Sequence, residues 1–137
     1  MITLLTGKKG SGKTKKLIDM ANAAVEKSDG NVVVVEKGLK LTYAISHSAR
    51  LIDIDSYDVK GGKGLYGFLA GICAGNYDVT DIFVDSTLKI TGSGAEVMAP
   101  LVEELKKLSQ ESGANIVLSV SAADEEIPES VKDCVAK

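Results

Sequence analysis

Hydrophobic positions along the chain follow two different periods. Consecutive apolar residues, typical of strands that are covered on both faces, occupy residues 2–5, 31–35, 82–84 and 116–120. Between these runs, apolar residues recur at every third or fourth position, which predicts amphipathic helices over residues 14–25, 65–72 and 98–108. Pro100 in the first turn and Gly113 just past the end are the boundary signals of the third helix. A short last helix is predicted over residues 128–136.

The segment from residue 39 to 62 has the least regular pattern. Residues 41–43 and 51–54 are predicted to form short strands at an edge, around a polar turn. Strands that alternate with helices indicate an α/β fold with a mostly parallel central sheet flanked by helices. Because no linker, low-complexity run or repeat divides the sequence, we expect one domain over residues 1–137. In such sheets ligands bind beyond the carboxyl ends of the strands.

A glycine-rich motif follows the first predicted strand. It matches G-x-x-x-x-G-K-[ST] in full, with Gly7, Lys8, Lys9, Gly10, Ser11, Gly12, Lys13 and Thr14. In this motif the backbone N–H groups and the start of the next helix bind phosphates. Lys13 is expected to reach the β and γ phosphates, and the Thr14 hydroxyl to bind Mg²⁺. The strand before and the helix after the motif are the context that it requires, so we expect phosphate binding.

Charge is unevenly distributed. The formal net charge of −3 divides into +5 on residues 7–16, which contain five lysines and no acid, and −8 on the rest of the chain. Positive potential is therefore concentrated where a polyphosphate would lie. Arg50 is the only arginine, and nineteen acidic residues outnumber sixteen basic ones, which argues against a nucleic-acid partner.

The cysteines and the apolar runs indicate the cellular compartment of the protein. Cys73 and Cys134 lack the spacing of a disulfide framework or metal site, which favours a reducing compartment. The first apolar run precedes its lysines, the reverse of a secretory signal, and no apolar stretch is long enough to span a bilayer. We therefore expect a cytoplasmic protein with no membrane partner.

Two acidic residues at strand ends are candidates for metal binding and catalysis. Asp85 ends the apolar run 82–84, the arrangement of a Walker B element, and is predicted to bind Mg²⁺ together with Thr14. Many ATPases place Glu directly after this Asp, but Ser86 stands here. Glu36, which ends the run 31–35, is the candidate for orienting the attacking water; a solvated carboxylate is the alternative. The spacing fixes no distance from the phosphates for three other acids, Asp53, Asp55 and Asp81.

The phosphate motif, the run ending at Asp85 and the β/α order together resemble a minimal P-loop NTPase of the RecA-like (ASCE) group. The sequence is similar to small stand-alone bacterial P-loop proteins sometimes labelled twitching-motility ATPase-like, including the C-terminal stretch 121–129. The resemblance implies a three-layer fold, ATP binding and a catalytic Glu at the position of Glu36. It also implies a polar γ-phosphate sensor at Ser119 or Ser121, and it makes a homo-oligomer, with Arg50 as an arginine finger, an open alternative.

Three functions remain open from the sequence. The first is a Mg²⁺-dependent ATP-binding protein, either a slow ATPase with catalytic Lys13 and Glu36 or a nucleotide-dependent switch acting on a protein partner. The second is a small phosphotransferase that uses residues 39–64 as acceptor site and lid, although a single arginine leaves little for such a lid. The third is a non-catalytic nucleotide-binding scaffold. ATP is favoured over GTP because the N-K-x-D motif is absent.

Overall fold

The structure, a computed structural model, describes residues 1–136. Its five strands are β1 (Ile2–Thr6), β2 (Asn31–Glu36), β3 (Arg50–Asp53), β4 (Val79–Val84) and β5 (Asn115–Val120). Its α-helices are α1 (Lys13–Lys27), α2 (Gly61–Gly75), α3 (Thr87–Thr91) and α4 (Met98–Ser112). Short 3₁₀ helices occupy Ile54–Tyr57, Ala95–Val97, Asp124–Glu126 and Glu129–Cys134.

The strands form one sheet in the order β1-β5-β4-β2-β3, and every pair is parallel. Helices cover both faces. On one face, α1 packs through Leu17 and Ala21 against Val34 and Phe83. On the other, α2, α3 and α4 enclose the larger core, in which Leu105 and Leu118 are fully buried. The expected three-layer α/β fold with a parallel sheet is therefore confirmed.

Both faces of the strands are apolar because helices cover both. All four valines of β2 are buried, and the apolar run shows no alternation with polar residues. Each parallel connection must cross from one end of the sheet to the other. As a result, all carboxyl ends of the strands open on one edge of the sheet, which is the edge that carries the phosphate motif.

The segment between β2 and β3 differs from its prediction. Residues 51–53 do lie in an edge strand, β3, but residues 41–43 form a turn rather than a strand. The reason is that Leu41 and Ile45 are both buried against the α1 layer while Tyr43 is exposed, which is turn-like rather than strand-like spacing. The last predicted helix is a 3₁₀ helix, Glu129–Cys134, and the short α3 was missed.

The outer edge of β1 is covered by the end of the chain. The backbone N–H of Ala136 donates to the Leu4 carbonyl at 2.9 Å, and Val135 pairs with Leu4 in parallel. The C-terminal segment therefore protects a strand edge that would otherwise expose free backbone groups. It also holds the strand that leads into the phosphate motif.

Two glycines with open space around them provide a matched test of the backbone conformation. Gly71 lies within α2, and Gly113 follows α4 with φ +78°, yet an added Cβ meets nothing within 4 Å at either position. We expect Gly71→Ala to raise the free energy of unfolding by about 1 kcal/mol, because alanine favours a helix interior. We expect Gly113→Ala to lower it by about 1 kcal/mol, because a side chain disfavours the left-handed region.

Urea denaturation of both variants checks the pair. Equal effects of the same sign would contradict the assignment of these two backbone conformations.

Candidate functional site

The phosphate motif forms a tight loop between β1 and α1. The Gly7 N–H donates to the Ala122 carbonyl at 2.9 Å, and the Ser11 N–H donates to the Lys8 carbonyl at 3.1 Å. A Cβ on Gly7 would collide with the Ser11 side chain, so the close approach of the loop to itself requires glycine there. The turn is therefore built from glycine geometry and backbone bonds.

The first turn of α1 has the features of an anion-binding helix end. Gly12, at φ +89°, is the N-cap and supplies no side-chain cap, and the first turn contains no acid. Lys13, Lys15 and Lys16 lie there instead, although cations are unfavourable beside the positive end of a helix. An anion at this end would satisfy the free N–H groups and offset the repulsion among the lysines.

Asp85 lies directly after β4 and is held by three hydroxyls. The Ser119 Oγ donates to Asp85 Oδ1 at 2.9 Å, and the Thr14 Oγ1 donates to the same oxygen at 3.3 Å. The Ser86 Oγ donates to Oδ2 at 3.3 Å, and the Ser86 N–H donates to the Ser119 Oγ at 2.8 Å. These bonds join the start of α1 to the ends of β4 and β5 around one carboxylate.

Glu36 ends β2, beside Asp85, because β2 and β4 are neighbours in the sheet. It is only 2% exposed. The Lys40 N–H donates to Oε1 and the Leu41 N–H donates to Oε2, each at 3.0 Å. Burial raises the pKa of Glu36 despite these two bonds, and the neighbouring Asp85 and Asp53 raise it further. Glu36 therefore anchors the turn after β2, in addition to facing the site.

A cleft of about 550 Å³ lies beyond the carboxyl ends of the strands. Eight residues of the phosphate motif and of the other predicted site positions line this cleft: Lys9, Gly10, Lys13, Thr14, Glu36, Asp85, Ser119 and Ser121. Other motif residues, Ser11 and Gly12, line a smaller adjoining cavity with Lys13, while Gly7 and Lys8 line neither. The structure thus brings the predicted phosphate, metal and catalytic positions to one place.

Sequence reasoning missed three lysines of this cleft. Lys37 and Lys40 follow β2, and Lys89 lies on α3 after β4. Lys37 pairs with Asp55 at 2.7 Å, and Asp55 also lines the cleft. The available signal was position, because each lysine follows the end of an inner strand within five residues.

Four further polar residues lie outside the cleft. Arg50 is the first residue of β3 and so lies at the amino ends of the strands, opposite the cleft. His47 is exposed on the preceding turn. Asp81 lies within β4 and accepts from the Thr80 hydroxyl. Asp53 accepts from the N–H groups of Gly38 and Asp55. None of these four lines the cleft.

A divalent cation would have few protein ligands here. Within residues 1–136, no three His, Cys, Asp or Glu side chains cluster as a metal cage. Thr14 and Asp85 offer hard oxygen atoms side by side, which suits Mg²⁺ that keeps most of its ligands as water and phosphate. The donor set therefore fits a nucleotide-bound Mg²⁺ better than a resident ion. Over the same residues, no helix has the length and apolar character needed to cross a bilayer.

No protein-family model matches the sequence, and no curated protein does. Among solved structures, the flagellar accessory protein FlaH from Methanocaldococcus jannaschii is similar, with a TM-score of 0.60 and 15% sequence identity. The match covers 95% of this chain and 64% of FlaH, so the chain spans less than two thirds of that protein. At this identity the similarity concerns the fold alone, a parallel sheet between two layers of helices. The narrower resemblance to small bacterial P-loop proteins stays a prediction.

The raised pKa of Glu36 gives a pH-dependent stability. Because the pKa is higher in the folded state than its ordinary value of 4.5, the protonated form is favoured by folding. The stabilisation is present below pH 4.5 and is lost as the pH rises through the folded pKa. The wild type should therefore lose free energy of unfolding relative to Glu36→Gln between pH 4.5 and 7.5.

Urea denaturation at the two pH values measures this difference, with Glu111→Gln on the exposed end of α4 as the control for losing one carboxylate. A difference that stays constant with pH, or one that grows in favour of the wild type, would refute the assignment.

Proposed function

We propose that this chain binds Mg²⁺ and ATP in the cleft described above and is a slow ATPase whose nucleotide state controls a protein partner. The single observation that carries the proposal is the contact of Thr14 with Asp85, made while the glycine loop and the uncapped end of α1 border the same cleft. Each feature alone has another explanation. Their convergence at one edge of the sheet is what a nucleotide site requires.

The phosphates would be held by the loop and by Lys13. The N–H groups at the start of α1 are the donors, and Lys13 supplies a mobile charge. In the structure, the Lys13 Nζ donates only to the Lys8 carbonyl, at 3.4 Å, so a phosphate oxygen would replace a weak contact. Binding is therefore expected without loss of a strong internal bond.

Thr14 and Asp85 would hold Mg²⁺, Thr14 through its hydroxyl and Asp85 through water or directly. When bound, Mg²⁺ neutralises phosphate charge. Ser119 and Ser86 keep the Asp85 carboxylate oriented toward Thr14 through their hydrogen bonds. Ser119 acts as a positioning residue in this proposal.

Glu36 is the candidate for orienting a water molecule near the terminal phosphate. Both of its oxygens accept backbone N–H bonds from the following turn, which leaves fewer lone pairs for water. Turnover is therefore expected to be slow.

The segment after Glu36 also supports the proposal that the protein is a nucleotide-dependent switch. It exposes Leu39 by 62% and Tyr43 by 98%, and its turn is tied to the site by the Glu36 carboxylate. A change in nucleotide state that alters the hydrogen bonds of Glu36 would move two exposed apolar side chains. A protein partner that binds this segment would sense the nucleotide.

Removal of the Lys13 charge tests nucleotide binding. At ATP concentrations one hundred times the dissociation constant, binding stabilises the folded state by about 2.7 kcal/mol. We expect Mg·ATP to raise the melting temperature of the wild type, and Lys13→Ala to lose most of this shift because its phosphate contact is gone.

Thermal shift measures the effect, and Lys107→Ala on the exposed face of α4 is the control with the same change in charge. The proposal fails if millimolar ATP with Mg²⁺ leaves the melting temperature of the wild type unchanged. Phosphate release, measured in parallel, should be slow in the wild type and lower still in Glu36→Gln.

Asp85→Asn tests the magnesium role. The variant keeps the size of the side chain but loses its charge, so Mg²⁺ should no longer strengthen ATP binding. We expect about a tenfold loss of affinity in Mg²⁺ and little change in EDTA, measured by calorimetry.

Asp81→Asn, on β4 itself but outside the cleft, is the matched control and should retain the wild-type response to Mg²⁺. Equal loss in Mg²⁺ and in EDTA would indicate that Asp85 only supports the local structure.

A further inference from the structure

The cleft is lined by three lysines that lie outside the phosphate loop. Five lysines line it, against three acids, so it has a net charge of +2 in a chain whose net charge is −3. A Mg²⁺-bound nucleoside triphosphate keeps a charge of about −2. A net positive cleft therefore favours the binding of such an anion.

The lysines reach the cleft from both sides of the sheet. Lys13 lies on α1, and Lys40 precedes Leu41, which is buried in the same layer as α1. Lys89 lies on α3, whose Ile90 is buried on the other face, among residues of α2 and α4. A ligand on the phosphate loop would therefore meet Lys89 from across the sheet edge.

The position of Lys89 is fixed relative to Asp85. Ser86 between them adopts the left-handed region, with φ +60°, which is rare for a residue other than glycine. Its carbonyl accepts the Lys89 N–H at 3.0 Å, while its own N–H donates to Ser119. Thr91 and Ile90 anchor the rest of α3 in the core. The turn at Ser86 thus determines where the backbone of Lys89 lies relative to Asp85, the candidate metal ligand.

Lys89 also has no competing partner. Within residues 1–136 its ammonium group makes no ion pair or hydrogen bond, whereas Lys37 in the same cleft is paired with Asp55. The Lys89 ammonium group is therefore available to an incoming anion. If Asp85 held Mg²⁺ on the phosphates of a nucleotide, a cation next to Asp85 and away from the loop would lie near the terminal phosphate.

We propose that Lys89 contacts the terminal phosphate of the bound nucleotide and so distinguishes a triphosphate from a diphosphate. The inference rests on the proposed nucleotide site and adds the residue that senses its third phosphate. It assigns this role to a lysine of the same chain, so triphosphate recognition needs no arginine from a second copy.

Calorimetry with Mg²⁺ and either ADP or a non-hydrolysable ATP analogue tests the proposal. We expect Lys89→Ala to bind the analogue about tenfold more weakly while its affinity for ADP changes less than twofold. Lys89→Arg, which keeps the charge, should recover part of the lost affinity, and Lys107→Ala should behave as the wild type. Thermal unfolding without nucleotide verifies that each variant is folded.

The outcomes separate the two proposals. If Lys89→Ala weakens both nucleotides equally, or neither, while Lys13→Ala abolishes binding, Lys89 does not sense the terminal phosphate and the nucleotide site stands. If the wild type binds neither nucleotide, the site itself is wrong and the role of Lys89 falls with it.

Discussion

The parallel direction of all five strands is the constraint on which the rest of the structure depends. Parallel pairing sends every carboxyl end to one edge, and each return crossing must run along a face of the sheet. The apolar character of both faces of β2 and β5 follows from the helices that cover them. The location of the site follows from the parallel direction as well. The loop after β1, Glu36 at the end of β2 and Asp85 after β4 all lie at the carboxyl ends of their strands, on one side of the sheet.

Asp85 lies at the carboxyl end of the central strand, β4, and connects α1 and β5 through hydrogen bonds. Strand β5 lies between β1 and β4, and its Ser119 reaches Asp85 from one side. Thr14 reaches the same oxygen from the start of α1. Three hydroxyl donors orient this carboxylate, and within residues 1–136 no lysine or arginine pairs with it. Lys13 and Lys89 line the same cleft and form no ion pair within residues 1–136, so they are available to a ligand, which is consistent with a net positive cleft in an acidic chain.

The sequence pattern predicted the regular parts of the fold because burial on both faces leaves a clear apolar period. The phosphate motif and the strand ending at Asp85 were predictable for the same reason, since local order positions them. Residues 41–43 were misjudged because Leu41 and Ile45 become buried only through packing against α1, a contact distant in sequence. Lys89 was missed because α3 is too short to show a helical period, and its position depends on the left-handed Ser86.

Glu36 shows how structural and chemical roles compete in a small site. Its two oxygens close the turn that buries Leu41, so the carboxylate contributes to packing on the α1 face. The same bonds reduce its freedom to orient water. A residue that must hold a turn and also act as a base cannot do both fully in one conformation. Hydrolysis would then require the turn to loosen, and that movement would displace the exposed Leu39 and Tyr43. Under the proposed function, slow turnover and partner signalling would share one physical cause.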